Sequence, residues 1–172
     1  MRDAVKAPLV LTLICGSVCG LLTVGNALTK DKIAAAEDAV FQSSLKDAFG
    51  DGNYRAMDLK LNGINQVIRD EQNRTIFDIT STGYEKDSQH LLIGLDSSGA
   101  VCGICAVSMT DSPTQAAKVQ ENAFLSQFYG QDAPSEMYDA VSGATKSSGG
   151  VHAAVSLALQ TYQEHKEEIT HE

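Results

Sequence analysis

The sequence is short of positive charge. Its 13 Lys and Arg residues stand against 22 Asp and Glu residues, which gives a formal net charge of −9. This balance argues against nucleic acid or an anionic membrane surface as the main partner. A single phosphate group can still bind, because one anion responds to its local site. The sequence also lacks internal repeats, low-complexity tracts and long charge runs, so we treat it as one domain with an appendage.

Charge is missing altogether from residues 7–28, APLVLTLICGSVCGLLTVGNAL. About 20 helical residues cross a bilayer core of about 30 Å, so this segment predicts one transmembrane helix. A cleaved signal peptide is the alternative, since Gly25-Asn26-Ala27 resembles a cleavage site. The run is longer than the usual apolar core of a signal peptide, about 7–15 residues. We therefore expect a retained anchor.

The orientation of this anchor rests on a small difference in basic residues. Arg2, Lys6 and the amino terminus precede the helix, whereas Lys30 and Lys32 follow it. Basic residues favour the cytoplasmic side. We expect a single-pass protein of the inner (cytoplasmic) membrane, with the soluble domain on the extracytoplasmic side.

Hydrophobic spacing organises the rest of the chain. Residues 30–49 repeat apolar positions at helical intervals, and the GDGN stretch at 50–53 ends the pattern. We predict an N-terminal flank at 1–6, the transmembrane helix at 7–28, a connecting helix at 29–49 and a soluble domain at 50–172.

Short β-branched runs dominate the middle of this domain. We predict strands in four segments: 64–70, 75–82, 90–96 and 100–109. The short turn between the last two indicates an antiparallel hairpin. Helices are predicted over 113–128 and from about Ser147 to about Lys166, with the polar tail fraying. The expected fold class is α+β, an antiparallel sheet flanked by helices.

The loop DAVSGATKSS, residues 139–148, directly precedes the last predicted helix. A helix N-terminus attracts phosphate through its unpaired N–H groups. Gly143 and Ala144 allow close approach, and Ser147 or Ser148 could cap the helix. By spacing alone, an ordinary capped loop is the favoured explanation of the pattern. The glycine and lysine positions do not fit a nucleotide P-loop.

This loop shows no pairing of a nucleophile with a catalytic base. Ser142 and Thr145 have no recognisable base partner in the sequence, so a hydrolase is unsupported and we assign no catalytic residue.

The segment Asp139-Ala140-Val141-Ser142-Gly143-Ala144-Thr145 resembles the flavinylation motif of FMN-binding domains. In that family a separate flavin transferase attaches FMN to the final threonine through a phosphoester bond. The resemblance implies covalent FMN on Thr145, which would make the chain a phosphoprotein, and recognition of Asp139 by the transferase. It also implies flavin contacts at the loop and the following turn: Ser142, Gly143, Ala144, Ser147 and Ser148.

The resemblance extends over the whole chain. Residues 83–110 are similar to the family's strand–turn–strand core, and residues 127–130 resemble another family segment. An anchor followed by a helix and strands is similar to the G subunit of the Rnf complex and to the C subunit of the sodium-pumping NADH:quinone reductase. One departure is a family loop, Glu-Thr-Pro-Gly-Leu-Gly, which here reads DSPTQA from residue 111. Its glycines are missing, and it offers Ser112, Pro113 and Thr114 as lesser flavin contacts.

The resemblance implies electron transfer in an Rnf-type ferredoxin:NAD⁺ oxidoreductase coupled to ion transport. The expected partners are its membrane and peripheral subunits, a flavin transferase and membrane lipid, without nucleic acid. The alternatives are the quinone-reductase subunit, a stand-alone anchored flavodomain and an adaptor without cofactor.

The four cysteines give no metal site. Cys102 and Cys105 form a C-x-x-C, but no second pair of zinc ligands accompanies it. Residues three apart on a strand face opposite sides, which disfavours a disulfide. We expect these two cysteines to pack in the core, and Cys15 and Cys19 to pack within the membrane.

Overall fold

The computed structural model of the chain describes residues 2–171, with side chains described for Pro8 and residues 10–170. Five strands form the sheet: β1 (Arg55–Met57), β2 (Gln66–Arg69), β3 (Thr75–Ser81), β4 (Gln89–Leu95) and β5 (Val101–Met109). The helices are α1 (Arg2–Phe49), α2 (Pro113–Gln120), α3 (Asn122–Leu125), α4 (Thr145–Glu164) and α5 (Lys166–His171), with a 3₁₀ turn at Ser126–Phe128.

The predicted anchor and connecting helix are one helix, α1, of 48 residues. Among the described residues, α1 is the one helix long and apolar enough to cross a membrane. Its apolar side chains between residues 10 and 28 are exposed, as lipid-facing side chains of an anchor are. The chain divides into two compact units, residues 1–41 and 42–172.

The sheet is antiparallel throughout, and its strands lie in the order in which they occur along the chain. Each strand therefore pairs with its sequence neighbours, as short connections allow. The predicted α+β class is confirmed. The sequence pattern missed β1, because Arg55, Ala56 and Met57 form a three-residue edge strand with no buried side chain to create an alternation.

The main hydrophobic core lies between one face of the sheet and α4, which packs on β3 and β4. Phe77 and Ile93 contribute from the sheet, and Val151, Val155 and Leu159 contribute from the helix. The helical residues recur at intervals of four, which places them on one stripe. This packing sets the position of the first turn of α4.

The last turn of α1 covers the opposite face of the sheet. Ile76 and Leu92 point to this face because their strand neighbours Phe77 and Ile93 point into the main core. The ring of Phe49 lies over the cross-strand pair Gly94 and Gly103. A Cβ atom added at Gly94 would lie 2.2 Å from a ring carbon of Phe49, so only glycine leaves room for the ring.

Polar groups hold the end of α1, whose last carbonyls have no partner within the helix. Arg74 donates to the Phe49 carbonyl at 2.6 Å and to Asp70 at 2.6 Å. The Tyr54 hydroxyl donates to the carbonyl of Gly50, the residue directly after the helix.

Two predicted helical segments differ from the structure. The segment 113–128 is divided into α2, α3 and the 3₁₀ turn, because Glu121 has an extended backbone (φ −65°, ψ 139°). The polar tail does not fray over the described residues. It forms α5, which buries Ile169, and Arg69 donates to the Ile169 carbonyl at 2.6 Å.

Candidate functional site

The loop before α4 is held at both ends. Gln127 brackets the backbone of Asp139: its side-chain oxygen accepts from the Asp139 N–H at 2.7 Å, and its amide nitrogen donates to the carbonyl at 3.3 Å. The Ala144 N–H donates to the Val141 carbonyl at 2.9 Å and closes a turn. Gly143 has a φ of +75° within that turn, a conformation that glycine adopts without strain. The Asp139 carboxylate itself is exposed.

Thr145 is the first residue of α4, and its side chain is exposed. The residue before it, Ala144, is buried and has no side-chain oxygen to cap the helix. The hydroxyl is therefore accessible to another molecule at the end of a 20-residue helix, where the dipole and the N–H groups favour negative charge.

The prediction that Ser147 or Ser148 caps this helix is wrong. Both lie inside the first turn and are buried. Ser147 donates to Asp111 at 2.6 Å, whereas Ser148 donates to the Ala144 carbonyl and accepts from the Val141 N–H. No side-chain cap bond is described for α4, and the Ser148 N–H donates to the Ala144 carbonyl. The N–H groups of Thr145 and Lys146, which precede it, stay open to an anion.

A buried polar cluster fixes the start of α4 to the sheet. Asp111, just after β5, accepts from the Ser147 hydroxyl at 2.6 Å and from the Gln89 amide at 2.8 Å. Its other oxygen accepts from the Tyr84 N–H at 3.0 Å. Gln89 also donates to the Ser147 carbonyl at 3.0 Å. Asp111 is 5% exposed and Gln89 is fully buried, so these bonds form out of water and are costly to leave unmade.

Two glycines make this cluster possible. A Cβ atom at Gly83 would lie 2.4 Å from an Asp111 oxygen, and one at Gly150 would lie 2.5 Å from the Gln89 side-chain oxygen. Both contacts are far below van der Waals distance, so a side chain at either position would displace the cluster and, with it, the helix start.

The pKa of Asp111 reflects two opposing effects. Burial raises the pKa, but the hydrogen bonds to the carboxylate outweigh burial and hold the pKa below its ordinary value. The donors are the side chains of Ser147, Gln89 and Ser88 and the backbone N–H of Tyr84. The carboxylate is therefore charged at neutral pH and serves as an acceptor.

This lowered pKa predicts a loss of stability in acid. An unfolded chain binds the proton near pH ~3.9, above the pKa of folded Asp111, so the stabilisation is complete above that pH and is lost as pH falls through the folded pKa. The thermal midpoint of the full chain in detergent should exceed that of an Asp111→Asn variant at pH 7, and the difference should shrink on acidification towards pH ~3. A difference that is independent of pH would contradict this assignment.

The lesser predicted contacts lie next to this cluster. Ser112, Pro113 and Thr114 are exposed at the start of α2, where Ser112 is the N-cap residue and forms no side-chain cap bond. Asp111 contacts Ser147, so chain connectivity brings these residues to the neighbourhood of the α4 N-terminus.

Three further residues were not predicted from the sequence. The Lys118 ammonium donates to the Ser142 carbonyl at 3.3 Å, and the Lys146 ammonium lies 5.0 Å from the centre of the Tyr84 ring. Tyr84 is 58% exposed. No signal in the sequence could have joined Lys118 to the loop, because the two lie on separate elements.

The expectation that both cysteines of the C-x-x-C pack in the core is wrong. Cys102 is exposed and Cys105 is partly buried. Cys102 is the extra residue of a β-bulge, since Leu95 pairs with Val101 and Gly94 pairs with Gly103, so simple alternation does not apply across it. Burial raises the pKa of the partly buried Cys105 thiol. No group of side chains suited to a metal ion occurs among the described residues.

Two clefts within residues 42–172 differ in size and in distance along the chain from the loop at 139–148. The larger, of about 820 Å³, lies beside β1 and β2 and shares no lining residue with the loop at 139–148. The smaller, of about 260 Å³, is lined by Lys118, Phe124, Gln127, Asp139 and Val141 among others. The smaller cleft borders the loop before Thr145 and is therefore the one relevant to the site, although its volume is smaller.

Comparison with protein families agrees with this geometry. Residues 83–160 match the model of the FMN-binding domain. The matched segment contains β4, β5, the Asp111 cluster, the loop and most of α4. The chain matches no curated protein. The family match supports FMN as the cofactor and flavin-carrying electron transfer as the role.

The residues around Thr145 fit the phosphate end of FMN. An exposed hydroxyl, open N–H groups and a glycine turn occupy one end of α4, and the Lys118 ammonium contacts the same loop. The N–H groups and the ammonium can donate hydrogen bonds to phosphate oxygens, and the glycine turn leaves space for the phosphate.

Proposed function

We propose that this chain is a membrane-anchored electron-transfer subunit that carries FMN covalently on Thr145. The observation that supports it best is the exposed Thr145 hydroxyl on an uncapped helix N-terminus, inside a segment that matches the FMN-binding domain. Bound FMN would supply one- and two-electron redox chemistry. The chain would supply attachment, orientation and a local field, and no complete active site of its own.

Attachment requires a phosphorus–oxygen bond from Thr145. The hydroxyl oxygen would attack the flavin phosphate of a pyrophosphate-activated flavin, such as a flavin dinucleotide. The phosphoanhydride bond between the flavin phosphate and the nucleoside monophosphate would break, the nucleoside monophosphate would leave, and the threonine proton would pass to a base. No oxidant or reductant is consumed. The structure gives the Thr145 hydroxyl no side-chain base partner among the described residues, so a transferase must supply the base. The exposed Asp139 carboxylate, on a backbone fixed by Gln127, is the proposed recognition feature.

The proposed assembly is an Rnf-type ion-translocating ferredoxin:NAD⁺ oxidoreductase. The motif at 139–145, the helix α1 and the sheet that follows support it together. The alternatives are the flavin subunit of a sodium-translocating NADH:quinone reductase and a stand-alone anchored flavodomain. A covalent tether suits all three, because it keeps the flavin on its carrier.

Purification of the tagged chain from its own membrane, with partner subunits identified by mass, tests the assembly. An Rnf-type complex predicts iron–sulfur and membrane subunits that couple ferredoxin oxidation to NAD⁺ reduction. Recovery of a quinone-reducing complex, or of the chain alone, would assign one of the alternatives.

Sidedness has its own test. The basic residues before the anchor support an extracytoplasmic domain. A cysteine at Met137, which is 85% exposed, should react with a membrane-impermeant label in intact cells, in a background where Cys102 and Cys105 are serine. Labelling that requires lysis would place the domain in the cytoplasm.

A further inference from the structure

Lys118 brings a positive charge to the loop that leads to Thr145. It lies in the last turn of α2, and its ammonium donates to the Ser142 carbonyl at 3.3 Å. The same nitrogen lies 3.7 Å from the point that a Cβ atom of Gly143 would occupy. The ammonium therefore lies on the side of the turn where Gly143 has no side chain, one residue before Ala144, the N-cap residue of α4.

The turn at 141–144 is joined to the first turn of α4. The Ala144 N–H donates to the Val141 carbonyl and closes the turn, and the Val141 N–H donates to the Ser148 hydroxyl at 3.0 Å. The N–H groups of that helical turn point out of the helix end. Ser142 and Gly143, which the Lys118 ammonium contacts, lie three and two residues before Thr145 in the chain, so a phosphate on Thr145 would be attached within a few residues of this ammonium.

The Lys118 ammonium has more N–H donors than described hydrogen-bond partners. A lysine has three N–H donors, and one carbonyl is the hydrogen-bond partner that the structure gives Lys118. It forms no ion pair with another described residue, although Glu121 and Asp139 line the same small cleft. A neutral carbonyl is a weaker partner than a phosphate oxygen, whose bond to an ammonium is charge-assisted.

We propose that Lys118 is the cationic partner of the flavin phosphate on Thr145, and that it orients the flavin tether against the helix end. This inference rests on the proposed function. Lys118 is a binding and positioning residue here, and the redox chemistry belongs to the flavin.

Lys146 provides a matched control. It follows Thr145 directly in sequence, but its ammonium lies over the Tyr84 ring at 5.0 Å from the centre. If nearby positive charge alone matters, neutralising either lysine should have the same effect. If the Lys118 contact is specific, only Lys118 should matter.

The test uses the full chain in detergent, made together with a flavin transferase, as wild type and as Lys118→Gln, Lys118→Arg and Lys146→Gln. Intact mass first measures flavin loading. Phosphorus NMR and the fluorescence anisotropy of the flavin are then recorded on the loaded fraction. Lys118→Gln should shift and narrow the phosphorus signal and lower the anisotropy, because the tether becomes mobile. Lys118→Arg and Lys146→Gln should resemble wild type.

The remaining outcomes also decide the question. If Lys118→Gln fails to load and Lys118→Arg loads, the positive charge is needed at the phosphate, which supports the proposal. If neither loads, or if loaded Lys118→Gln has the wild-type signal and anisotropy, the proposal is overturned. A wild-type chain whose flavin is absent, or is attached elsewhere than Thr145, would instead refute the proposed function, and the Lys118 inference would fall with it.

Discussion

Thr145→Ala is expected to remove all covalent flavin from the chain. The wild-type protein made with a flavin transferase should gain the mass of FMN less one water and keep a fluorescent band after denaturation. The alanine variant should have neither, because no oxygen remains to form the phosphoester. Its fold should survive, since an exposed substitution away from special contacts changes stability by about 0.5 kcal/mol or less.

Two variants control this experiment. Thr145→Ser retains a hydroxyl and should retain part of the flavin. Ser97→Ala removes another exposed hydroxyl, in the turn between β4 and β5, and should load fully. The wild-type chain made without a transferase should be colourless. A fluorescent, mass-shifted Thr145→Ala protein would place the flavin on another residue and end the attachment hypothesis.

Gly94→Ala is expected to give the largest loss of stability among single methyl additions to the sheet. The new Cβ atom would lie 2.2 Å from the Phe49 ring, and that ring is 5% exposed, with the Arg74 guanidinium 5.6 Å from its centre. Overpacking of this kind costs about 1–3 kcal/mol. The thermal midpoint of the full chain in detergent should fall, with the end of α1 displaced from the sheet.

Gly52→Ala is the matched control for this substitution. A Cβ atom at Gly52 would meet nothing within 4 Å, so the thermal midpoint should stay near that of wild type. If the thermal midpoint of Gly94→Ala equals that of Gly52→Ala, the Phe49 ring moves aside freely and does not hold the last turn of α1.

The strands that carry the core could be predicted from sequence because their signals are local. β3, β4 and β5 are runs of β-branched and apolar residues with a short turn between the last two. The edge strand β1 was missed, since nothing on it is fully buried. The division of the helix after β5 was also missed, because it depends on the backbone of Glu121 rather than on hydrophobic spacing.

Some residues of the site could likewise be identified from sequence, and others could not. The motif at 139–145 identifies Thr145, Gly143 and Asp139 from adjacent residues alone. The hydroxyls of Ser147 and Ser148 looked like helix caps in sequence, but each has a partner elsewhere in the fold.

The sequence by itself determined the long apolar helix, the antiparallel pairing of the strands and the candidate attachment residue, because each depends on neighbours along the chain. Only the tertiary structure decided what surrounds Thr145. Asp111, Gln89 and Ser147 meet across separations of 22 to 58 residues, and Lys118 reaches Ser142 across 24. Such contacts form when packing of α4 on the sheet brings distant elements together, and no local pattern encodes them.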